Sequence, residues 1–367
     1  MSDDTANRPA PRPYILDIAP YVGGESAIAG AQRVIRLASN ESALGPSPKA
    51  IAAYRAQAAE MFRYPDGGST DLRHAIAAQF GLDAERVVCG TGSDELIGLL
   101  ARCYAGPGDE VIYSRHGFLM YPIAAQAAGA TPVAVPEPNL IADPDAILAH
   151  VTPRTRLVFL ANPNNPTGTY ISRDAVRRLH RNLPKGTILV LDAAYAEFVA
   201  RNDYEPGLEL AKSEANVVML RTFSKIHALA GLRVGWAYGS AAIADVLNRT
   251  RGTFNVGLPA QAAAIASLAD TAALQRAHDH NNRWRPWLED AIRALGLEVN
   301  PAVANFVLVK FATPQRADAA REFLKSRFIL VRQMGAYNLP EHLRVTVGTE
   351  EENRAVVAAL AEFVAAR

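Results

Sequence analysis

In its middle portion the chain alternates short apolar runs with helix-like stretches. The runs are RVVCG near Val87, EVIYS near Val111, PVAVP near Val133, RLVFLAN near Val158, TILVLDAAY near Val190, VVMLRTFS near Val218 and RVGWAYG near Val234. Most are β-branched, short and bounded by Gly, Pro or polar residues, which predicts strands. Segments such as DELIGLLARCY and SRDAVRRLHRNL between them read as helices. Strand–helix alternation predicts an α/β fold with a mostly parallel sheet covered on both faces. Ligands of such sheets collect outside the carboxyl ends of the strands, so functional residues are expected where strands end.

The pattern changes after about Gly257. Two long helical stretches, Leu258 to Asp270 and Thr271 to Leu295, precede LEVNPAVANFVLVKF, a helix-like ADAAREFLKSR, FILVRQM, HLRVTVG and a last helix from Glu350. That order predicts a smaller α+β domain. The expected division is an arm over 1–45 packing with the small domain, a large domain over 46–262 and a small domain over 263–367, with the boundary inside a helix near Ala260 to Asp270.

The 367 residues suffice for two domains and a core that needs no disulfides. With 38 basic and 37 acidic residues the net charge is +1, which gives no footprint for nucleic acid or an anionic membrane. Cys89 and Cys103 lack metal-ligand spacing and read as buried reduced thiols of a cytoplasmic protein. The start, MSDDTANRPAPRPY, lacks a basic region followed by an apolar stretch, so it does not read as a secretory signal, and no apolar run approaches a membrane span. Pro9, Pro11 and Pro13 fit an extended arm or plain terminal disorder. HExxH, paired CxxC and GxSxG motifs are absent, so no metal is expected. The histidines read as structural, with His116 and His227 nearest the chemical segments.

Four segments carry candidate chemistry. In TFSKIHALAGLRVG, Lys225 follows an apolar strand between the hydroxyls Thr222 and Ser224, with Arg233 eight residues on. A lysine amine of lowered pKa can form a Schiff base with an aldehyde, and hydroxyls with a guanidinium suit a phosphate. The alternative is a surface lysine at a strand end. In LVLDAAYAEF, Asp192 ends a strand and Tyr195 follows three residues later. A carboxylate there could keep a pyridine nitrogen protonated, or simply cap the next turn. ANPNNPTG, Ala161 to Gly168, is a polar turn at a strand's end or an ordinary Asn/Pro loop. In VVCGTGSDELI, Gly90 to Asp94 open a helix whose amides could cradle a phosphate, with Ser93 as the alternative or simultaneous helix cap.

These segments, in this order, resemble the fold-type-I pyridoxal-phosphate aminotransferases, and within them the histidinol-phosphate aminotransferase family. The likeness runs from about Pro20 to the last helix. It implies a large domain with a mostly parallel seven-stranded sheet, pyridoxal 5′-phosphate as cofactor and a homodimer with shared active sites. Lys225 would carry the cofactor as a Schiff base and shuttle protons, Asp192 would pair with the ring nitrogen, and Tyr195 and Asn165 would bond its phenolic oxygen. Gly92, Ser93, Asp94, Thr222, Ser224 and Arg233 would meet the phosphate, and Phe118 would stack on the ring. Tyr64, in FRYPD, would reach the partner subunit's cofactor phosphate. Arg344, in LRVTVG, would grip the substrate anion with Arg332 as helper; Tyr21 would line an imidazole pocket, and Asn40 and Asn305 match further family positions.

The implied reaction is reversible ping-pong transfer between histidinol phosphate and 2-oxoglutarate, with glutamate as donor, in L-histidine biosynthesis. An aromatic amino acid aminotransferase and a decarboxylase acting on threonine phosphate are the alternatives. A non-catalytic cofactor-binding regulator fits less well, because the lysine and aspartate are both present and no DNA-binding extension precedes the fold. Two departures bear on substrate preference: Ile226-His227-Ala228 replaces the commoner small-aromatic-glycine pattern, and His116-Gly117-Phe118 replaces a proline-rich form.

Overall fold

The computed structural model describes residues 9–31 and 33–366. Residues 1–8 lie outside this range, so the choice between arm and disorder falls largely there. Arg12 has extended geometry (φ −57°, ψ 143°) and leads into a 3-10 turn, Pro13–Ile15.

Strand β1 (Ile35–Leu37) is followed by helices α1 (Pro48–Ala56) and α2 (Thr70–Phe80). Next come β2 (Val87–Gly90), α3 (Ser93–Tyr104), β3 (Glu110–Ser114), α4 (Met120–Ala128), β4 (Thr131–Val135) and α5 (Pro144–Ala149). The alternation continues with β5 (Thr155–Ala161), α6 (Arg173–Asn182), β6 (Ile188–Asp192), α7 (Leu208–Ser213), β7 (Val217–Thr222) and β8 (Gly235–Tyr238). Helices α8 (Ala241–Thr250), α9 (Leu258–Leu268) and α10 (Thr271–Arg293) lead to β9 (Glu298–Asn300), β10 (Phe306–Lys310) and α11 (Pro314–Ser326). The chain closes with β11 (Ile329–Gln333), β12 (His342–Thr346) and α12 (Glu350–Ala365), whose start Thr349 and Glu352 secure as a capping box.

The larger sheet has seven strands in the order β2-β8-β7-β6-β5-β3-β4. All its pairings are parallel except those of β8, which runs against β2 and β7. Alternation sorts its side chains to two cores. Val158 and Leu160 of β5 and Leu189 and Leu191 of β6 face one layer of helices, while Leu157, Phe159, Ile188 and Val190 face the other. Each buried aliphatic chain contributes about 1.5–3 kcal/mol relative to exposure.

The smaller sheet has the order β1-β11-β12-β10-β9. Its first strand comes from the N-terminal segment: β1 lies parallel to β11, with Ile35 opposite Ile329 and Leu37 opposite Val331. LEVNPAVANFVLVKF forms two antiparallel strands, β9 and β10, with Val299 opposite Val309. Val307, Val309, Leu343 and Val345 pack on the helical layer of α10, α11 and α12. The intervening positions Phe306, Leu308, Arg344 and Thr346 therefore point to the opposite face, toward the larger sheet's strand ends. Helix α9 packs on α1 and α2, whereas α10 packs on β9, β10 and α12.

Candidate active site

A cavity of about 330 Å³ opens outside the carboxyl ends of the larger sheet. Lys225 stands three residues beyond β7 and projects into it. Its Nζ donates to the Ser39 carbonyl at 3.3 Å and lies 5.5 Å from the centre of the Tyr195 ring. Burial, then the nearby Arg344 and Arg233, pull the amine down from 10.5 to about 8, against Glu41 and Asp192. An amine so placed loses its proton readily and can act as nucleophile and base.

Asp192, the last residue of β6, is buried beside it. Burial raises its carboxyl above the ordinary value, while the Tyr121 hydroxyl and the Ala194 amide oppose the shift. Tyr121 Oη donates to Oδ2 at 2.7 Å and the Ala194 N–H to Oδ1 at 3.2 Å, so the turn-capping role is real and the carboxylate still lines the cavity. Tyr195 accepts from Asn40 Nδ2 at 2.9 Å, which leaves its own O–H free to donate into the cleft.

An anion cup forms where β2, β7 and β8 meet. Gly92 is the N-cap of α3 at φ 87°, without a side-chain cap bond, so the expectation that Ser93 caps the helix is corrected: Ser93 is its first residue and lines the cavity. The turn needs left-handed backbone and no side chain there, since a Cβ on Gly92 would come within 2.5 Å of Arg233 Nη2. Arg233 Nη2 bonds Asp94 Oδ1 at 2.8 Å, its Nη1 reaches Ser224 Oγ at 3.3 Å, and Thr222 Oγ1 donates to Ser224 Oγ at 3.0 Å. Hydroxyls, a guanidinium and the first amides of α3 thus converge on one spot.

The smaller sheet supplies the opposite wall. Arg344 is the third residue of β12, between β11 and β10, and is 5% exposed. Its guanidinium bonds Asn165 Oδ1 and the Ala38 carbonyl and lies 5.2 Å above the Phe306 ring. No carboxylate pairs with it among the described residues, and its Nε has no partner. Arg332 sits directly opposite on β11 and bonds the Val22 carbonyl. Phe118 lies in the loop after β3, with Tyr21 against it edge-on at 6.2 Å.

Tyr21, Asn40, Ser93, Asp94, Phe118, Asn165, Asp192, Tyr195, Thr222, Ser224, Lys225, Arg233 and Arg344 all line this one cavity. Four expected residues do not. Gly92 caps α3 beside it, Asn305 lies behind it and donates to the Asn40 carbonyl at 3.1 Å, Arg332 lines a neighbouring cavity, and Tyr64 is 82% exposed, stacked on Phe254 at 4.7 Å. Sequence reasoning missed Tyr121 and Tyr337. The signal for Tyr121 was a hydroxyl in the apolar helix MYPIAAQAA, which needs a buried partner. His227 is buried against Ser267 Oγ at 2.8 Å; burial takes it down to about 4, so it is a neutral packing residue. Cys89 is buried as expected, with its thiol pushed up to about 12; Cys103, expected to be buried too, is only half-buried, and neither cysteine is in a disulfide.

The model of the aminotransferase class I and II family matches residues 32–360. The chain belongs to this family. Histidinol-phosphate aminotransferases are similar along nearly the whole aminotransferase chain: that of Paramagnetospirillum magneticum is 60% identical over 360 residues, covering 98% of this chain and 99% of that one. That of Rhodospirillum centenum is 58% identical over 357 residues, covering 97% and 99%. The crystal structure of histidinol-phosphate aminotransferase from Sinorhizobium meliloti in complex with pyridoxal-5′-phosphate superposes with a TM-score of 0.91 at 30% identity, covering 98% of this chain and 99% of that one. Family and fold are those the motifs implied. Among the described residues no helix is long and apolar enough to cross a membrane, and no group of three or more His, Cys, Asp or Glu could hold a metal ion.

Proposed function

We propose that this aminotransferase moves an amino group reversibly between histidinol phosphate and 2-oxoglutarate, with pyridoxal 5′-phosphate held on Lys225. The observation that carries the substrate reading is the like-charged pair Arg332 and Arg344, opposite one another across β11 and β12, with no acid paired to either among the described residues. Like charges directly opposite on a sheet destabilise it, and a buried guanidinium without a counter-ion costs more. A substrate phosphate or carboxylate would supply the missing charge, and a guanidinium fork accepts either. The similarity to the named histidinol-phosphate aminotransferases points the same way.

The residues present fit the cofactor. The cup that a Cβ on Gly92 would block suits a phosphate, the depressed amine of Lys225 suits an aldehyde, and buried Asp192 suits a protonated ring nitrogen. Gly92, Ser93, Asp94, Thr222, Ser224 and Arg233 would hold the phosphate, Phe118 would cover the ring face, and Asn165 and Tyr195 would donate to its phenolic oxygen. Pyridoxal phosphate, when bound, supplies an electron-withdrawing ring that accepts the electron pair left at the substrate's Cα. Lys225 then removes and returns the Cα proton as base and acid. Asp192, whose charged form Tyr121 and Ala194 favour against burial, would hold the proton on the ring nitrogen. Arg344 orients the substrate by its anion, and Tyr21 with Phe118 walls off its ring end.

The reading includes a cytoplasmic homodimer. Met61, Phe62 and Tyr64 are 77%, 72% and 82% exposed, a patch that a second copy would cover while Tyr64 reaches its cup. Specificity constants for histidinol phosphate, phenylalanine, tyrosine and aspartate with 2-oxoglutarate test the substrate. Histidinol phosphate should lead the panel. A phenylalanine optimum would overturn the substrate and leave the aminotransferase standing, and carbon dioxide release without a keto acid would indicate a lyase.

A further inference from the structure

Glu137 follows β4 and is buried, 8% exposed, outside the constellation above. Its two oxygens bridge loops that follow two other strands. Oε2 accepts from the His116 backbone N–H at 2.8 Å, in the loop after β3, and Oε1 accepts from Asn164 Nδ2 at 3.3 Å, in the Asn/Pro turn after β5. Ser114 and the cation Arg115 lie near it and favour its charged form. Two donors on two oxygens require a carboxylate, because an amide offers one acceptor and would set its own NH2 against a donor.

His116 carries the linkage onward. Its Nδ1 lies 2.8 Å from the Tyr337 carbonyl. A carbonyl only accepts, so Nδ1 holds the hydrogen. Tyr337 is 2% exposed, lines the active cavity and belongs to the turn between the strands that carry Arg332 and Arg344. The loop between His116 and Phe118 has no slack. Gly117 N–H bonds the Ser114 carbonyl at 2.6 Å, and a Cβ on Gly117 would meet that oxygen at 2.9 Å and the Tyr121 ring at 3.3 Å. A displacement of His116 therefore reaches Phe118 two residues away.

We propose that Glu137 and His116 are positioning residues: Glu137 fixes the Phe118 ring relative to Asn165, and His116 ties that loop to the small-domain turn that frames the substrate anion site. This rests on the proposed role of Phe118 over the cofactor ring. Burial pushes the Glu137 carboxyl up to about 7, so the titrations below are read above that pH, where it is a carboxylate; burial lowers His116, so the imidazole is neutral and its bond to Tyr337 an ordinary one.

The test uses Glu137→Gln, His116→Ala and His116→Asn. Each is titrated with pyridoxal phosphate for its dissociation constant, examined by circular dichroism of the bound cofactor, and assayed for kcat and KM. Glu137→Gln should weaken cofactor binding about tenfold or more, the loss of a buried charge-assisted bond, and change the dichroism. His116→Ala should leave cofactor binding near native and raise KM for both substrates roughly two- to tenfold, the range of one neutral hydrogen bond. His116→Asn, whose amide nitrogen can occupy the place of Nδ1, should restore KM. A folded Glu137→Gln with native dissociation constant and dichroism overturns the role of Glu137, and equal KM in the Asn and Ala variants overturns that of His116. If Glu137→Gln does not fold, Glu137→Asp, which keeps the charge and shortens its reach, decides by the same dissociation constant and dichroism, native values again overturning the role of Glu137. Failure of the native protein to bind the cofactor would refute the function itself, which separates the two readings.

Discussion

Arg344→Met separates function from stability at one residue. In the free protein the change removes charged hydrogen bonds to Asn165 Oδ1 and the Ala38 carbonyl, and the contact over Phe306. Bonds of this kind contribute roughly 1.5–3 kcal/mol each. The same change relieves a buried charge with no counter-ion and its opposition to Arg332. Replacing buried charges by apolar chains is often neutral or stabilising by about 1–4 kcal/mol. The two bonds sum to roughly 3–6 kcal/mol against a relief of about 1–4, so the free protein should lose about 2 kcal/mol of stability. Transition-state binding has no such offset. Loss of a charge-assisted pair to the substrate anion costs about 1.5–3 kcal/mol, or roughly ten- to 150-fold in kcat/KM. Steady-state kinetics with glutamate and with histidinol phosphate should show this loss for both, while Tm falls only modestly. Phosphate should raise the Tm of the native protein more than that of the variant. Histidinol without its phosphate should be a poor substrate and suffer less from the substitution. A large fall in Tm with kcat/KM intact would make Arg344 a core residue and refute the reasoning. A loss confined to glutamate would place the phosphate elsewhere, with Arg332 the next candidate.

The Lys225 amine, drawn from 10.5 to about 8, binds fewer protons folded than unfolded between those values, so its burial costs stability below about pH 8 and the cost is relieved as pH rises to 10.5. The rate of pyridoxal phosphate capture should accordingly climb through about pH 8; a flat profile there, or a borohydride label mapped to another lysine, would remove Lys225 from its role. Asp192→Asn should retain the cofactor and lose on the order of a few kcal/mol of transition-state stabilisation, and near-native single-turnover rates would leave the aspartate only its structural bonds to Tyr121 and Ala194. Mixing Tyr64→Ala with Lys225→Ala chains should yield hybrids more active than either parent, because one site then keeps both native residues; exchange without recovery would put Tyr64 outside the partner's site.

The strands and their loaded ends were legible because each motif is local: RLVFLAN and TILVLDAAY carry strand, end signal and chemical residue within a few positions. Contacts made at long range were not. β1 is three residues that become a strand only beside β11, almost three hundred positions away. Tyr121 reads as an apolar helix residue until the fold brings its hydroxyl 2.7 Å from Asp192. Ser93 has the right chemistry for a cap, yet the tight approach of Arg233 puts Gly92 there. For Arg344, whose neighbours all come from distant segments, the motif marked the residue and only the strand order revealed its missing counter-ion.

The two-faced smaller sheet bears on how such a protein can change over time. In β12, Leu343 and Val345 belong to the helical core, while Arg344 and Thr346 look toward the reaction. Stability and substrate choice are thus written on interleaved positions of one strand, Leu343 and Val345 answering to packing and Arg344 and its neighbour Thr346 to the site. Substitutions at those two leave the helical core behind the sheet untouched, so preference among anionic substrates can drift in single steps without passing through an unfolded intermediate form.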